Sequence, residues 1–227
     1  MTETAHHSVS ERAYSVLKKL IINLDLPPGK KITENEIAEG FKVSRTPVRE
    51  AFLRLSQEGL IVVYPQRGSF VSLIDLDHVE EAKFMRKHLE PAAAKYASSI
   101  EFPRKQLEEL EKNLNDQEAC VEEENYKKLF DLDGEFHRII FTGCHKERTW
   151  KSLQQMMINL DRIRMLSLAS HYNWQIILEQ HRKVVQSIRS KNPNQAEQVM
   201  LEHMKLVDVD IGDLVQRYPD YFKRRAG

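Results

Sequence analysis

VSRTPVREAFLRLSQEGLIVVYPQRGSFV, residues 43–71, decides the fold of the first third of this chain. Ser44 suits an N-cap, and Pro47 falls in the first turn of the helix it would open, where a missing N–H costs little. Val48, Ala51, Phe52 and Leu55 then share one face, and Gly59 stops the helix after about Gln57. Two β-rich runs, Leu60–Tyr64 and Phe70–Leu73, flank Pro65-Gln66-Arg67-Gly68-Ser69, which predicts a hairpin. Upstream, Gly40-Phe41-Lys42-Val43 reads as a tight turn. Before it, Thr33-Glu34-Asn35-Glu36 reads as a capping box opening a short helix with Ile37, Ala38 and Phe41 inward. Further back, Ala13, Val16, Leu17, Leu20, Ile21 and Leu24 predict a helix over 9–24 that Pro27-Pro28-Gly29 terminates. The order is helix, helix, turn, helix, hairpin.

Two short helices joined by a tight turn place the second in a DNA major groove, with its first residues at base edges. Arg45 and Arg49 stand four apart on that helix and share a face, and an arginine fork matches the two acceptors of a guanine edge. The hydroxyls of Ser44 and Thr46 suit phosphate. At the hairpin tip, Gly68 permits close backbone approach and Arg67 can enter a minor groove. The whole chain is neutral, 34 basic residues against 34 acidic, which excludes a uniformly basic nucleic-acid coat. Between 42 and 54, however, Lys42, Arg45, Arg49 and Arg54 face only Glu50.

Residues 43–71, with LPPGKKITENEIAEGF before them, resemble the winged helix-turn-helix of GntR-family regulators over roughly residues 8–74. The resemblance implies DNA contacts by Arg45, Thr46, Arg49 and Gly68, with Arg67 beside them. It departs at Asn35, where some members carry a basic residue.

Everything beyond Asp75 reads as helix, so the expected domains are 1–74 and 75–227. The expected class is mainly α, a winged helix-turn-helix followed by an all-α bundle. Candidate helices are 76–99, 103–123, 125–143, 147–169, 173–191 and 193–216, with Pro91, Pro103 and Pro193 at starts or bends. Composition, 41% hydrophobic and 30% charged, suits a globular protein. Cys120 and Cys144 form no CxxC motif, no leader pattern opens the chain, and no apolar run nears the roughly 20 residues that span a bilayer. A cytoplasmic protein is expected.

Within the second domain, Asp133 and His137 are spaced i, i+4, so a carboxylate and an imidazole project to one side. His181 and His203 stand about equally far before and after the turn Lys191-Asn192-Pro193-Asn194, roughly 16 Å along each helix at 1.5 Å per residue. Antiparallel helices bring them level, each in an apolar register, inside the bundle where metal sites are built. One carboxylate and three imidazoles suit zinc, nickel or manganese. His78, His88, His145 and His171 have no such partners and are left outside the set.

Residues 76–215 resemble the FCD effector domain of the FadR-like GntR subgroup. The matching stretches are RKHLEPAAAKYA (86–97), DLDGEFHRIIF (131–141), EQHRKVVQSI (179–188) and AEQVMLEHM (196–204). The resemblance implies a divalent ion on Asp133, His137, His181 and His203, and a small organic acid beside it. Arg86 matches the family's frequent ligand-binding arginine, and its fork suits a carboxylate. Arg162 and Arg164 are further candidates. The reading that follows is a DNA-binding regulator, a repressor by family habit, acting as a homodimer under control of the organic acid. A metal-dependent hydrolase-like enzyme and a metal-free interaction module stand as alternatives. Turnover of small acids would favour the first, and melting indifferent to metals and acids the second.

Overall fold

The protein is described by a computed structural model over residues 2–170 and 174–224, with 2–8 and 207–210 as backbone only. It divides into two compact units, one of Met1–Asp75 with Arg217–Gly227, the other of Leu76–Gln216.

The first unit opens with α1 (Thr2–Ile22), which starts earlier than the apolar spacing predicts and ends short of Leu24. Leu24 adopts a positive φ of 63° that no helix continues through. β1 (Lys31–Ile32) precedes α2 (Glu34–Phe41), whose cap is the expected one: Thr33 accepts a hydrogen bond from the Glu36 amide at 3.2 Å. Lys42 turns the chain in the left-handed region, and α3 (Arg45–Gln57) follows. The hairpin is β2 (Ile61–Tyr64) and β3 (Gly68–Val71). β3 is the centre of a three-stranded antiparallel sheet, because β1 pairs on its other side through Lys31↔Phe70 and Ile32↔Ser69. The core is Leu17 and Ile21 of α1, Val48, Ala51 and Leu55 of α3, and Leu60, Ile61 and Val71 from the hairpin.

The second unit is all helix among its described residues: α4 (Leu76–Ser99), α5 (Arg104–Glu122), α6 (Tyr126–Gly143), α7 (Glu147–Met156), α8 (Ile158–Ala169), α9 (Trp174–Arg189), α10 (Pro193–Met204) and α11 (Leu206–Arg217). α4 packs against α6 to α10, while α5 covers α6 and α9. Two helices expected as single are each broken in two. At Met157 and at Lys205 ψ moves toward zero and the amide bonds three residues back, to Gln154 and Glu202, which ends one helix before the next begins. His171 lies outside the described residues.

Residues 217–224, expected in the second domain, group with the first unit. After α11 a short 3-10 turn, Pro219–Tyr221, brings Phe222 alongside Ile74 as a parallel bridge. The Ile74 amide donates to Tyr221, and the Lys223 amide donates back to Ile74. No helix among the described residues is long and apolar enough to cross a membrane.

Candidate DNA-reading face and metal centre

α3 is fixed from behind and open in front. Its buried positions, Val48, Ala51, Phe52 and Leu55, face the unit's core, leaving Arg45, Thr46, Arg49 and Glu50 exposed on the opposite side. Among the described residues Arg45 meets Glu34 at 3.9 Å, and it keeps 69% of its side chain in solvent. The Ser44 hydroxyl makes no capping bond and stands exposed. Arg54 is different. It pairs with Glu11 at 2.5 Å and lies 3.7 Å from the Tyr14 ring centre, so it ties α3 to α1 and leaves the basic patch it was counted in. Tyr14 and Lys18 continue that tie through hydrogen bonds to Glu58. At the wing, Gly68 has φ +101°, a conformation that disfavours a Cβ, and Arg67 lies over the Tyr64 ring.

In the second unit, Asp133 and His137 of α6, His181 of α9 and His203 of α10 converge as the spacing predicts. One ligand atom from each lies within 4.8 Å of all the others, and all four residues are buried. The His203 Nε2 is 3.3 Å from the Nε2 of both His181 and His137. Asp133 Oδ1 is 3.7 Å from the His181 Nε2, and its Oδ2 is 3.8 Å from the His137 Nε2. Phe136 stacks on the His181 ring at 3.8 Å between centres.

Each imidazole turns its other nitrogen to an acceptor. His181 Nδ1 meets Gln117 Oε1 at 2.9 Å and His203 Nδ1 meets Gln180 Oε1 at 3.1 Å, while His137 Nδ1 lies against the Glu90 carboxylate. Arg86, a donor only, points Nη2 at the His137 Nε2 from 3.2 Å while its Nε bonds Glu90. With the hydrogen on Nδ1, each Nε2 turns a lone pair into the cluster, where that of His137 also meets the Arg86 guanidinium.

Burial drives the His181 pKa down to about 3, against the pull of Asp133, and holds His203 well below its ordinary value. Burial would raise Asp133 and Glu90, but the neighbouring guanidinium groups outweigh it, Arg164 for Asp133 and Arg86 for Glu90. Both carboxyls stay far below the usual range. At neutral pH the cluster is one carboxylate and two neutral imidazoles besides His137.

Arg164 bridges Asp133 and Asp161 and lines a cavity of about 220 Å³ with Phe130, Gly134, Arg138, Trp150 and Asp161. Arg162 points elsewhere than Arg164: it is fully buried, donates to Asn159, and has its pKa lowered to about 10 by burial.

The family profile of the FCD domain matches residues 81–206, more than half of the chain, and that of the "Bacterial regulatory proteins, gntR family" matches residues 9–71. The chain is a GntR-family transcription regulator with an FCD domain. GntR-type relatives extend over its whole length. A regulator from an unstable DNA locus of Streptomyces ambofaciens is 31% identical across 100% of this chain and 94% of its own. The HTH-type transcriptional repressor RspR of Escherichia coli K12 is 29% identical across 94% and 93%. In fold, the GntR chain is similar to E. coli McbR/YncC, with a TM-score of 0.78 at 19% identity over 92% of this chain and 98% of that one. A putative GntR regulator of Rhodococcus sp. RHA1 gives 0.75 at 21% identity over 91% and 98%. The matched families and relatives are transcription regulators, not enzymes, which removes the hydrolase alternative.

Sequence reasoning missed the residues around the GntR regulator's histidines. Glu90 follows Arg86 by four positions, and Gln117 follows Asn113 by four, a spacing that puts each pair on one helix face. That regularity was visible. What was not visible is that these polar faces point inward.

Proposed function

We propose that this regulator binds operator DNA as a homodimer and that a small carboxylate, held beside a divalent ion in the FCD domain, controls that binding. Arg45 and Arg49 would read guanine edges, Ser44 and Thr46 would hold phosphate, and Gly68 and Arg67 would serve as the wing in a minor groove. Two-fold symmetry of a dimer would match a near-palindromic operator. Repression is the favoured sense, as the relative RspR is named a repressor. The working place is the cytoplasm, with the DNA.

The observation that carries the effector half is the convergence of three Nε2 atoms, that of His203 3.3 Å from each of the other two, with a buried carboxylate. Lone pairs so placed repel one another unless a cation lies between them. The donor set therefore fits a divalent ion on Asp133, His137, His181 and His203, with zinc, nickel and manganese all matched by N/O ligation. When bound, the ion would supply a positive centre with positions open to water or a carboxylate. Arg86 would supply the second anchor: its guanidinium is already 3.2 Å from a ligand nitrogen and is oriented by Glu90. Arg164 neutralises Asp133 and stands at the wall of the adjoining cavity, where an acid can approach. Arg162 would act one layer out, through α8. A carboxylate that binds one arrangement of the bundle better than another shifts operator affinity by that difference and no more.

The experiment is elemental analysis of protein purified without chelator or nickel resin, followed by gel shift on DNA upstream of its own gene with and without a panel of organic acids. One divalent ion per chain, lost in Asp133→Ala, and a shift relieved by at least one acid are expected. A protein that takes up no divalent ion refutes the centre and leaves the metal-free module. A shift unchanged in an Arg45→Ala/Arg49→Ala double variant refutes the reading face.

A further inference from the structure

His181 is held in place by a chain of hydrogen bonds whose direction is fixed at its far end. Asn113 and Gln117, one turn apart on α5, are both buried. Asn113 Nδ2 donates to the backbone carbonyl of Leu132 at 3.0 Å. A carbonyl can only accept, so the amide of Asn113 cannot be reversed. Its Oδ1 therefore faces Gln117 and accepts from Nε2 at 2.6 Å. Gln117 in turn has only its oxygen left to offer, and that oxygen is 2.9 Å from His181 Nδ1. A ring nitrogen facing an obligate acceptor must carry the hydrogen. The lone pair of His181 is thereby forced onto Nε2, the atom that points into the cluster.

We propose that Asn113 and Gln117 are positioning residues: a polar relay, anchored on the Leu132 carbonyl, that locks His181 as its Nδ1–H tautomer and readies Nε2 as an ion ligand. The second half of this statement rests on the metal reading given above; the first does not. The anchor is well placed for the task. Leu132 directly precedes Asp133, so one end of the relay is on the backbone beside one ligand and the other end is on the ring of another. Phe136, stacked on the ring face, removes the remaining freedom to swing. His203 differs: its Gln180 comes from the residue next to His181, with no comparable anchor behind it. His137 has a carboxylate, which accepts from either side. Of the three imidazoles, His181 is the one whose tautomer is set by an amide that is itself anchored, and so by a residue two hydrogen bonds removed.

An ion ligated by histidine depends on such outer partners, and their loss lowers affinity by about 10- to 100-fold. The test uses the full-length chain. Long-range ¹⁵N–¹H correlation spectra of the metal-stripped protein report which nitrogen of each histidine bears the proton, and competition with a chelator measures zinc affinity. In the wild type, His181 should show a single Nδ1–H form. Gln117→Leu, close in size but without an acceptor, should release that form to a mixture and weaken zinc by about 10- to 100-fold. Gln117→Glu keeps an oxygen toward Nδ1 and, as the neutral acid, a hydroxyl that donates to Asn113 Oδ1, so it should hold the tautomer and restore binding. That rescue separates positioning from mere packing. If Gln117→Leu does not fold, the wild-type spectrum and Gln117→Glu still decide. An Nε2–H signal from His181 in the wild type, or zinc binding by folded Gln117→Leu equal to wild type, overturns the relay. A wild type that shows the Nδ1–H form but takes no zinc keeps the tautomer lock, and it is then the metal reading that fails.

Discussion

Arginines that look alike in the sequence divide by what stands behind them. Arg49 is exposed on the outer face of α3. Arg54, little more than one turn on, is stacked on Tyr14 and paired with Glu11. Replacing each by alanine should therefore give opposite results. Arg49→Ala should leave melting unchanged and cost about 1–3 kcal/mol of operator affinity, relaxing preference at the base it faces. Arg54→Ala should lower stability by about 1 kcal/mol through the lost cation–π and ion-pair contacts, with operator preference intact. Fluorescence anisotropy on operator and scrambled DNA, alongside thermal melts, separates the two. Equal losses of affinity would mean that the back of α3 also meets DNA. The same distinction, outward against inward, explains why Glu90 passed unnoticed beside Arg86, which the family resemblance singled out: a glutamate on a helix shows its role only when its burial is known.

At the level of helices, α6, α9 and α10 carry the histidines, and their packing makes acid a threat to the bundle. His181 and His203 are neutral and buried, with pKa values below the ordinary imidazole value because burial opposes their charge. The unfolded chain therefore binds protons that the folded chain refuses. Stability is complete above about pH 6.5 and falls as pH drops toward 3. From His181 alone the loss between pH 7 and pH 5 is about 2 kcal/mol. Asp133 and Glu90, both held low, add a further loss below about pH 4. Denaturant midpoints of the metal-stripped protein at pH 7 and pH 5 measure this, and an unchanged midpoint would mean that water reaches the rings. The α9–α10 hairpin was readable because Asn192 and Pro193 mark its turn and the two histidines count back equally from it. The breaks at Met157 and Lys205 were not, since neither Gly nor Pro stands there to mark them. β1 was missed for a similar reason: two residues carry no alternation, and their strand exists because β3 offers a free edge.

The chain as a whole passes between its two compact units twice, at Asp75–Leu76 and again at Gln216–Arg217. Sequence pattern gave no hint of the return, because YPDYF after α11 has neither a strand's alternation nor a helix's spacing. What holds it is specific. Phe222 is buried, its neighbours exchange two backbone hydrogen bonds with Ile74, and Lys223 pairs with Asp75 at 3.1 Å. Ile74 is itself fully buried, immediately before the chain leaves the first unit. Residues 221–223 are therefore a structural part of the DNA-binding unit. Phe222→Ala should destabilise that unit by about 3–5 kcal/mol, the usual cost of emptying an aromatic core site. The FCD bundle, whose core does not include this residue, should keep its stability. Hydrogen exchange read separately over residues 45–71 and over 126–204 tests this. Faster exchange confined to the first segment, with operator binding weakened in step, is the expected result. Equal protection in wild type and variant would show that the bridge to Ile74 contributes nothing to holding the reading head together.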